Sequence, residues 1–370
     1  MICTVSTIKE SPERVRQFVD DNLSAGVDHM FEFVDAPNGP VVRYLAEHPH
    51  CTVVRTDDRY WDGDRPPNLN SRQRINANLV RTLLAPLSWC DWLFHIDADE
   101  CLDIDREQLE TLADDVHAVR LSPWESVSGP HAYSGSFKRL LDRDELRLLR
   151  LLGVLRKPTN RALFHGHVQG KVGIRPSLDL ALSIHWATIG GGERILGTHD
   201  HSWYVLHRES VSEDDFMTKW SGMLDQPGNG THRGFRAVVR SAVSALVTNE
   251  KLDDQERSLL LHQVYTEAVA DPVGALERLG YLERPDPGRH RHTPRPPSGR
   301  QLRETEALLD VLLAAPKRSF LPTAGLEAQR RELRAAARSL TDEHGDLADR
   351  VEATVAREPS PVTPDAPRTP

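Results

Sequence analysis

The stretch Trp92-Leu93-Phe94-His95-Ile96-Asp97-Ala98-Asp99-Glu100 joins an apolar run directly to three carboxylates. The run is unbroken from Trp92 to Ile96 except for His95, which is typical of a strand that is buried on both faces. An acidic triplet placed after such a strand is costly to bury unless a cation compensates its charge. Carboxylate oxygens are ligands that Mg²⁺ and Mn²⁺ prefer. The stretch therefore predicts a strand that ends in a metal site, with a solvated acidic turn as the alternative.

Strand-like and helix-like segments alternate upstream of this stretch. Strands are predicted over residues 2–6, 29–34 and 51–55, and helices over 12–23, 41–47 and 72–84. That order is typical of an α/β fold in which a mostly parallel sheet is flanked by helices. Ligands of such sheets bind beyond the carboxyl ends of the strands. Asp35, Asp57 and Asp97 all fall at or just after these ends, which favours a ligand site there.

The segment from Trp92 to Glu100 resembles the DxD segment of family 2-like glycosyltransferases, and in particular the "hhIDaDEfl" pattern of bacterial cell-surface polysaccharide enzymes. The resemblance covers roughly residues 1–220. It implies a GT-A-like fold and an inverting transfer of a sugar from a nucleotide-diphospho-sugar donor to a glycan or another hydroxyl acceptor. It also implies Mn²⁺ or Mg²⁺ as the cofactor. Asp99 would be the main metal ligand, and Asp97 would face the metal or the nucleotide ribose.

The chain departs from the family pattern near the second strand, where an aspartate pair is reduced to Asp35. By the resemblance, Asp35 would contact the nucleotide. Arg72 and Gln73 lie near the start of a predicted helix, where the helix dipole favours phosphate. Family members often carry a basic residue or Gln at this point, close to the sugar nucleotide. A solvated helix start is the alternative.

A Gly-rich segment, Gly166 to Arg175, contains two basic residues, Lys171 and Arg175. Similar "G-K-x-x-x-R" segments recur in the same glycosyltransferases. Residues four apart on an alternating strand face the same side, so both side chains are expected to contact the diphosphate or the acceptor. A solvated strand is the alternative.

A histidine late in the domain often completes the metal site of GT-A enzymes. His207 follows a predicted strand and precedes a predicted helix, which suits that role. His185, His199 and His201 are rival candidates, and each histidine taken singly is more often structural.

Glu125 follows a strand downstream of the acidic triplet, where the order of the family would place a catalytic base. An inverting transfer needs a carboxylate that takes the proton of the acceptor hydroxyl. The neighbouring Trp124 is expected to desolvate Glu125 and so to raise its pKa. A glutamate on a surface loop is the alternative.

The composition excludes several classes of protein. The 370-residue chain has a formal net charge of −9, which disfavours a nucleic-acid binder. Its four scattered cysteines predict neither a zinc site nor a disulfide framework. We find no export signal and no apolar run near the roughly 20 residues that span a bilayer. The expected location is therefore the cytoplasm.

The pattern divides the chain into five parts: a GT-A glycosyltransferase domain over 1–225, a helical extension over 226–283, a Pro/Arg-rich linker over 284–300, a helical accessory region over 301–357 and a disordered tail over 358–370. The accessory region is predicted to contact a partner or to form a homo-oligomer. Its removal is expected to leave the first domain folded.

Two other functions stay open from the sequence. One is a nucleotide-sugar-binding protein without turnover. The other is a metal-dependent phosphohydrolase or nucleotidyltransferase, because these enzymes also gather aspartates at strand ends. A nucleotidyltransferase usually has a Gly-rich loop with a basic residue right after the first strand, and Ser6 to Glu10 lacks that loop.

Overall fold

The structure, a computed structural model, describes residues 1–35, 39–129, 135–190, 192–224, 235–285, 292–340 and 344–357, without the side chains of 201, 222, 223 and 235. The predicted tail over 358–370 and part of the predicted linker lie outside the described residues.

Four parallel strands form the N-terminal half of the main sheet: β1 (Ile2–Ile8), β2 (His29–Val34), β3 (Cys51–Arg55) and β4 (Trp92–His95). The helices between them are α1 (Pro12–Ser24), α2 (Gly39–Glu47), α3 (Asp58–Trp61) and α4 (Leu69–Leu84). The side chain of Ser11 accepts a hydrogen bond from the N–H of Arg14, so α1 starts with a side-chain cap and with Pro12 in its first turn. The prediction of an α/β fold with a mostly parallel sheet flanked by helices is confirmed.

Six further strands extend this sheet, and three form a small second sheet. The additional strands are β5 (Glu100–Asp103), β6 (Ala118–Ser126), β7 (Phe137–Lys138), β8 (Lys171–Ile174), β9 (Leu180–Leu182), β10 (Ala187–Ile189), β11 (Glu193–Ile195), β12 (Thr198–His207) and β13 (Leu282–Glu283). The main order is β13-β7-β6-β8-β4-β1-β2-β3, with β12 paired to β5 and β6. Because β8 runs antiparallel between β4 and β6, the sheet is mixed.

The chain reverses between β9 and β10. The N–H of Ser183 donates to the carbonyl of Trp186 at 2.8 Å, which closes the turn. The two short strands are therefore paired antiparallel.

Ten further α-helices follow among the described residues. They are α5 (Arg106–Glu110), α6 (Arg143–Leu151), α7 (Asn160–Leu163), α8 (Glu213–Leu224), α9 (Phe235–Val247), α10 (Asp254–Ala268), α11 (Val273–Arg278), α12 (Gly299–Leu313), α13 (Leu326–Ser339) and α14 (Gly345–Ala356). None of the helices in the described ranges is long and apolar enough to cross a membrane.

The main sheet has an apolar core on each face, because alternate residues of a strand point to opposite sides. Ile2 and Met30 pack on one face with α1 and α2. Val5 and Phe31 pack on the other face with α4.

The C-terminal helices, which the sequence predicts as an accessory region, contribute side chains to this second core. Leu312 of α12, Leu333 of α13 and Val351 of α14 are buried in the same apolar cluster as Leu79 of α4. A buried hydrogen bond of 3.1 Å also joins Arg81 of α4 to Gln329 of α13. The amphipathic pattern predicted helices, but it does not reveal which surface their apolar faces cover.

Candidate active site

Four buried polar side chains form one row across the main sheet. The backbone register pairs His207 of β12 with Glu100 of β5 on one side and with Glu125 of β6 on the other. Glu125 is paired in turn with Lys138 of β7. Partners in register on neighbouring strands point to the same face of a sheet. The fold therefore brings together residues that are far apart in the chain.

His207 is shared by two groups of potential metal ligands. One group is Asp99, His207 and Glu209, and the other is Glu100, His167 and His207; in each, the ligand atoms lie within 4.8 Å of one another. His207 Nε2 lies 3.3 Å from Glu209 Oε2 and 3.6 Å from Asp99 Oδ2. The predicted pair Asp99 and His207 is thus close together, and Glu209 is added to it.

The His207 imidazole is buried, and its Nδ1 has no hydrogen-bond partner among the described residues. The nearest carboxylate oxygen of Glu125 is 3.7 Å away, too far for a hydrogen bond. Carboxylate oxygens combined with an imidazole suit a divalent ion such as Mn²⁺. The donors of Asp99, His207 and Glu209 therefore fit the metal that the sequence predicts.

Lys219 of α8 supplies a positive charge to the same group. Its Nζ donates to Asp99 Oδ2 at 2.9 Å and lies 3.0 Å from Glu209 Oε2. Arg236 Nη2 donates to Glu209 Oε1 at 3.0 Å. Burial favours the neutral form of Asp99, but the charges of Lys219 and His207 outweigh it and hold its pKa well below the usual value. Burial opposes ionisation of Glu209 as well, but the charges of Lys219 and Arg236 hold its pKa well below the usual value, so both carboxylates are ionised.

Asp97 is held by different partners. Lys171 Nζ donates to Asp97 Oδ2 at 2.6 Å, and Gln73 Nε2 donates to Asp97 Oδ1 at 2.5 Å. Lys171 also lies 3.0 Å from Glu100 Oε2. Asp97 belongs to neither ligand group of the described residues. The two aspartates of the DxD segment therefore interact with separate cations.

Glu125 is buried, and both of its carboxylate oxygens have partners. The N–H groups of His165 and Gly166 donate to them at 2.7 and 2.6 Å, and Lys138 Nζ lies 2.9 Å away. Burial alone would raise the pKa of Glu125, but the charge of Lys138 and the polar contacts of the carboxylate hold it well below the usual value.

The expected pKa shift of Glu125 is thus reversed. Trp124 stacks on Tyr204, with ring centroids 4.0 Å apart. Because successive residues of β6 point to opposite faces of the sheet, Trp124 does not desolvate its neighbour.

Asp35 and Arg72 lie together at the end of β2. Arg72 donates a bidentate pair of hydrogen bonds to the Asp35 carboxylate, at 3.0 and 2.9 Å. It also donates to the carbonyls of Pro66 and Pro67. Arg65 adds a further hydrogen bond to Asp35 at 3.2 Å. Arg72 therefore orients Asp35, and its guanidinium is largely occupied by these contacts.

The structure places Arg175 away from Lys171 and Asp97. It follows the end of β8, donates to the carbonyl of Val116 at 3.1 Å and lies over the Trp92 ring. Trp92 begins β4, whereas Asp97 and Lys171 lie beyond the opposite end of that strand. The prediction assumed that one strand carries both basic residues into the site.

The rival histidines have different surroundings. The His185 ring packs against that of His167 with the ring planes tilted by 49° and the centroids 4.5 Å apart, and burial lowers the pKa of His185 to about 3. His199 Nε2 is hydrogen-bonded to the hydroxyl of Ser122 at 2.8 Å. The side chain of His201 lies outside the described residues.

Sequence reasoning missed His167, Glu209, Lys219 and Arg236. Two of them had a local signal. Glu209 lies two positions after His207, and His167 lies within the Gly-rich segment from Gly166 to Arg175. Lys219 and Arg236 lie on helices, where no local pattern distinguishes them from solvated basic residues.

Comparisons with known proteins give distant likenesses. No family model matches the chain, and no curated protein matches it. One similar solved structure is mannose-1-phosphate geranyltransferase from Thermus thermophilus, at 14% identity and a TM-score of 0.25, covering 48% of this chain and 57% of that chain. Another is the apo structure of the WbbM bifunctional glycosyltransferase, at 11% identity and a TM-score of 0.22, covering 47% of this chain and 31% of that chain.

A third is the inositol-1-phosphate CTP transferase from T. maritima, at 10% identity and a TM-score of 0.22, covering 73% of this chain and 98% of that chain. The chain spans less than two thirds of the length of the first two structures. With TM-scores this low, the likenesses carry no argument about this chain.

Proposed function

We propose that the protein is a metal-dependent, inverting glycosyltransferase that moves a sugar from a nucleotide-diphospho-sugar to an acceptor hydroxyl in glycan synthesis. The observation that carries the proposal is the convergence of Asp99, His207 and Glu209 at or just beyond the ends of β4 and β12. The resemblance of the DxD segment to family 2-like glycosyltransferases gives independent support. Ligands of α/β sheets bind at such an edge.

Asp99, His207 and Glu209 would hold Mn²⁺ or Mg²⁺ in this proposal. A bound divalent ion supplies positive charge against the diphosphate of the donor. Lys171 and Gln73 fix the Asp97 carboxylate, whose side chain keeps 25% of its surface exposed. An exposed and oriented carboxylate can accept hydrogen bonds from the hydroxyls of a ligand.

Asp35 is the proposed nucleotide contact at the end of β2. Parallel strands end at the same edge of a sheet, so Asp35 and the acidic segment after β4 lie at the same edge. The bidentate hydrogen bonds from Arg72 fix the orientation of the Asp35 carboxylate.

Glu125 stays a prediction as the catalytic base, and its surroundings favour a different role. A base must reach the acceptor hydroxyl, but the Glu125 carboxylate is 1% exposed and already bound to Lys138 and two backbone N–H groups. These contacts tie the segment at His165 and Gly166 to the sheet beside His207. Glu125 thus supports the geometry of the proposed metal site.

A nucleotide-product assay tests the proposed function. The protein is incubated with a panel of nucleotide-sugars, candidate hydroxyl acceptors and Mn²⁺, and the nucleotide products are separated by chromatography. We expect a nucleoside diphosphate together with a glycosylated acceptor. A nucleoside monophosphate or pyrophosphate would instead indicate a phosphohydrolase or a nucleotidyltransferase, and binding without any product would indicate a sensor.

A further inference from the structure

Helix α6 (Arg143–Leu151) has an apolar face that no described part of the chain covers. Leu151 is 85% exposed, Leu152 is 57% exposed and Leu148 is 40% exposed. Residues three and four apart are neighbours on a helix, so these leucines form one patch at the end of α6. They make up three of the seven exposed large apolar side chains found among the described residues.

The opposite face of α6 already packs the helix against an apolar core. Leu146 and Leu149 are buried in an apolar cluster with Leu163 and Phe164. A surface helix normally needs one apolar face for its packing. The second face, which we call the leucine patch (Leu148, Leu151 and Leu152), therefore has no role in the packing of the described residues.

Basic residues surround the leucine patch. The stretch from Leu140 to Arg161 contains six basic and three acidic residues, in a chain whose net charge is −9. All six basic side chains are exposed: Arg143, Arg147, Arg150, Arg156, Lys157 and Arg161. The first three lie four and three positions apart, so they form a stripe on α6 beside the leucines.

Two of these basic residues have acidic neighbours on the surface. Arg147 lies 3.3 Å from Asp144, and Arg156 lies 2.7 Å from Glu267. Exposed ion pairs contribute little and are readily exchanged for other anionic partners. The local excess of positive charge therefore stays available to an external anionic surface.

We propose that the leucine patch and its basic border dock the protein on an anionic lipid bilayer. Exposed leucines beside arginines and lysines are the combination that enters a lipid interface, because the apolar groups insert while the cations contact anionic headgroups. The charge of the border is complementary to such a surface. This inference is independent of the proposed sugar transfer.

The position of the patch gives docking a consequence for the active site. Leu163 and Phe164, which share the apolar cluster beneath α6, directly precede the segment His165 to His167. That segment contacts Glu125 and Glu100 in the site. The apolar cluster beneath the docking helix is therefore continuous in the chain with a segment of the site.

Vesicle sedimentation tests the proposal. The full-length protein is mixed with vesicles of phosphatidylcholine alone, and with vesicles that also contain about 30% phosphatidylserine. We expect binding to the anionic vesicles that weakens with salt, since screening reduces the attraction of headgroups for the basic border. The double variant Leu151→Ser/Leu152→Ser should bind about tenfold more weakly or worse, because both leucines lose their apolar contact.

Leu259→Ser is the matched control, because Leu259 is 59% exposed on α10. The triple variant Arg143→Gln/Arg147→Gln/Arg150→Gln should remove the preference for anionic vesicles. Thermal unfolding of each variant checks that the fold is intact. The proposal is overturned if anionic vesicles fail to bind the protein, if both lipid compositions bind equally, or if the leucine variant binds like wild type. A dimer that dissociates in the leucine variant, without vesicle binding, would assign the patch to a second copy of the chain.

Discussion

The ammonium group of Lys219 lies 2.9 Å from the carboxylate of Asp99, the residue proposed as the main metal ligand. The same ammonium lies 3.0 Å from Glu209 Oε2. A divalent ion held by Asp99, His207 and Glu209 would be close to this positive charge, and like charges at such distances repel. Metal binding is therefore expected to require the withdrawal of Lys219.

Replacement of Lys219 should strengthen metal binding. Lys219→Met removes the competing charge, so we expect the affinity of the free protein for Mn²⁺ to rise about tenfold or more. The loss of the free Mn²⁺ signal in electron paramagnetic resonance measures this affinity without any substrate. Lys251→Met is the control, since it changes the net charge equally at an exposed position. Weaker Mn²⁺ binding by Lys219→Met than by this control would contradict the competition.

Glu32 lies in the middle of β2, and we expect it to make the free energy of unfolding depend on pH. Its side chain is buried, and neither carboxylate oxygen has a hydrogen-bond partner among the described residues. Burial raises the pKa of Glu32 to about 8. The folded state thus keeps a proton that the unfolded state loses above its ordinary pKa. The contribution of this bound proton to the free energy of unfolding is therefore complete below the ordinary pKa of a glutamate, and it is lost as the pH rises towards 8.

The free energy of unfolding should therefore fall by about 3 kcal/mol through Glu32 between about pH 5 and pH 8. Glu32→Gln cannot ionise, so its stability should vary less over this range. Urea unfolding at several pH values measures the difference between the two proteins. Parallel pH profiles for wild type and Glu32→Gln would show that Glu32 ionises normally.

The C-terminal helices should be required for the stability of the sheet. Leu312 of α12 is fully buried in the core that contains α4. Leu312→Ala should lower the free energy of unfolding by about 2–5 kcal/mol, the usual cost of a buried leucine. Leu259→Ala, at an exposed position on α10, is the control. A truncated chain that lacks residues after 297 and melts like the full chain would disprove this packing.

Glu125→Gln distinguishes a structural role from a catalytic one. Gln at this position loses the ion pair with Lys138, which is itself fully buried. Lys138 keeps Asp271 as a partner at 2.9 Å, so we expect stability to fall by about 1–3 kcal/mol, together with weaker Mn²⁺ binding. Calorimetric unfolding and Mn²⁺ titration measure both effects. Unchanged stability and metal affinity, with transfer slowed about 100-fold, would instead restore Glu125 as the base.

The order of strands and helices up to β4 could be predicted because it depends on local patterns. Ser11 and Pro12 predict the start of α1, and the apolar run from Trp92 predicts a buried strand. The surroundings of Glu125 could not be predicted in this way. Its cation, Lys138, comes from a two-residue strand, and its backbone partners come from a segment 40 residues away.

The candidate site also has some residues that local patterns predict and others that they do not. The acidic segment and His207 were visible because each follows an apolar run, and the fold brings Asp99 and His207 together. Lys219 reaches Asp99 across 120 residues of sequence. Such a contact depends on how α8 packs against the sheet, and the residues of α8 alone do not specify that packing.

The rate of nucleoside diphosphate release by wild type and by Asp99→Ala, each with saturating Mn²⁺ and then with a chelator, tests the central claim most directly. Asp114→Ala serves as the control, because Asp114 is exposed. We expect wild type and the control to release the diphosphate with Mn²⁺ and to stop when the ion is chelated. Asp99→Ala should fold normally but lose at least about 100-fold in rate, because it lacks a proposed ligand of the ion. Release by Asp99→Ala at the wild-type rate, or wild-type release that persists in the chelator, would contradict the proposed metal-dependent sugar transfer.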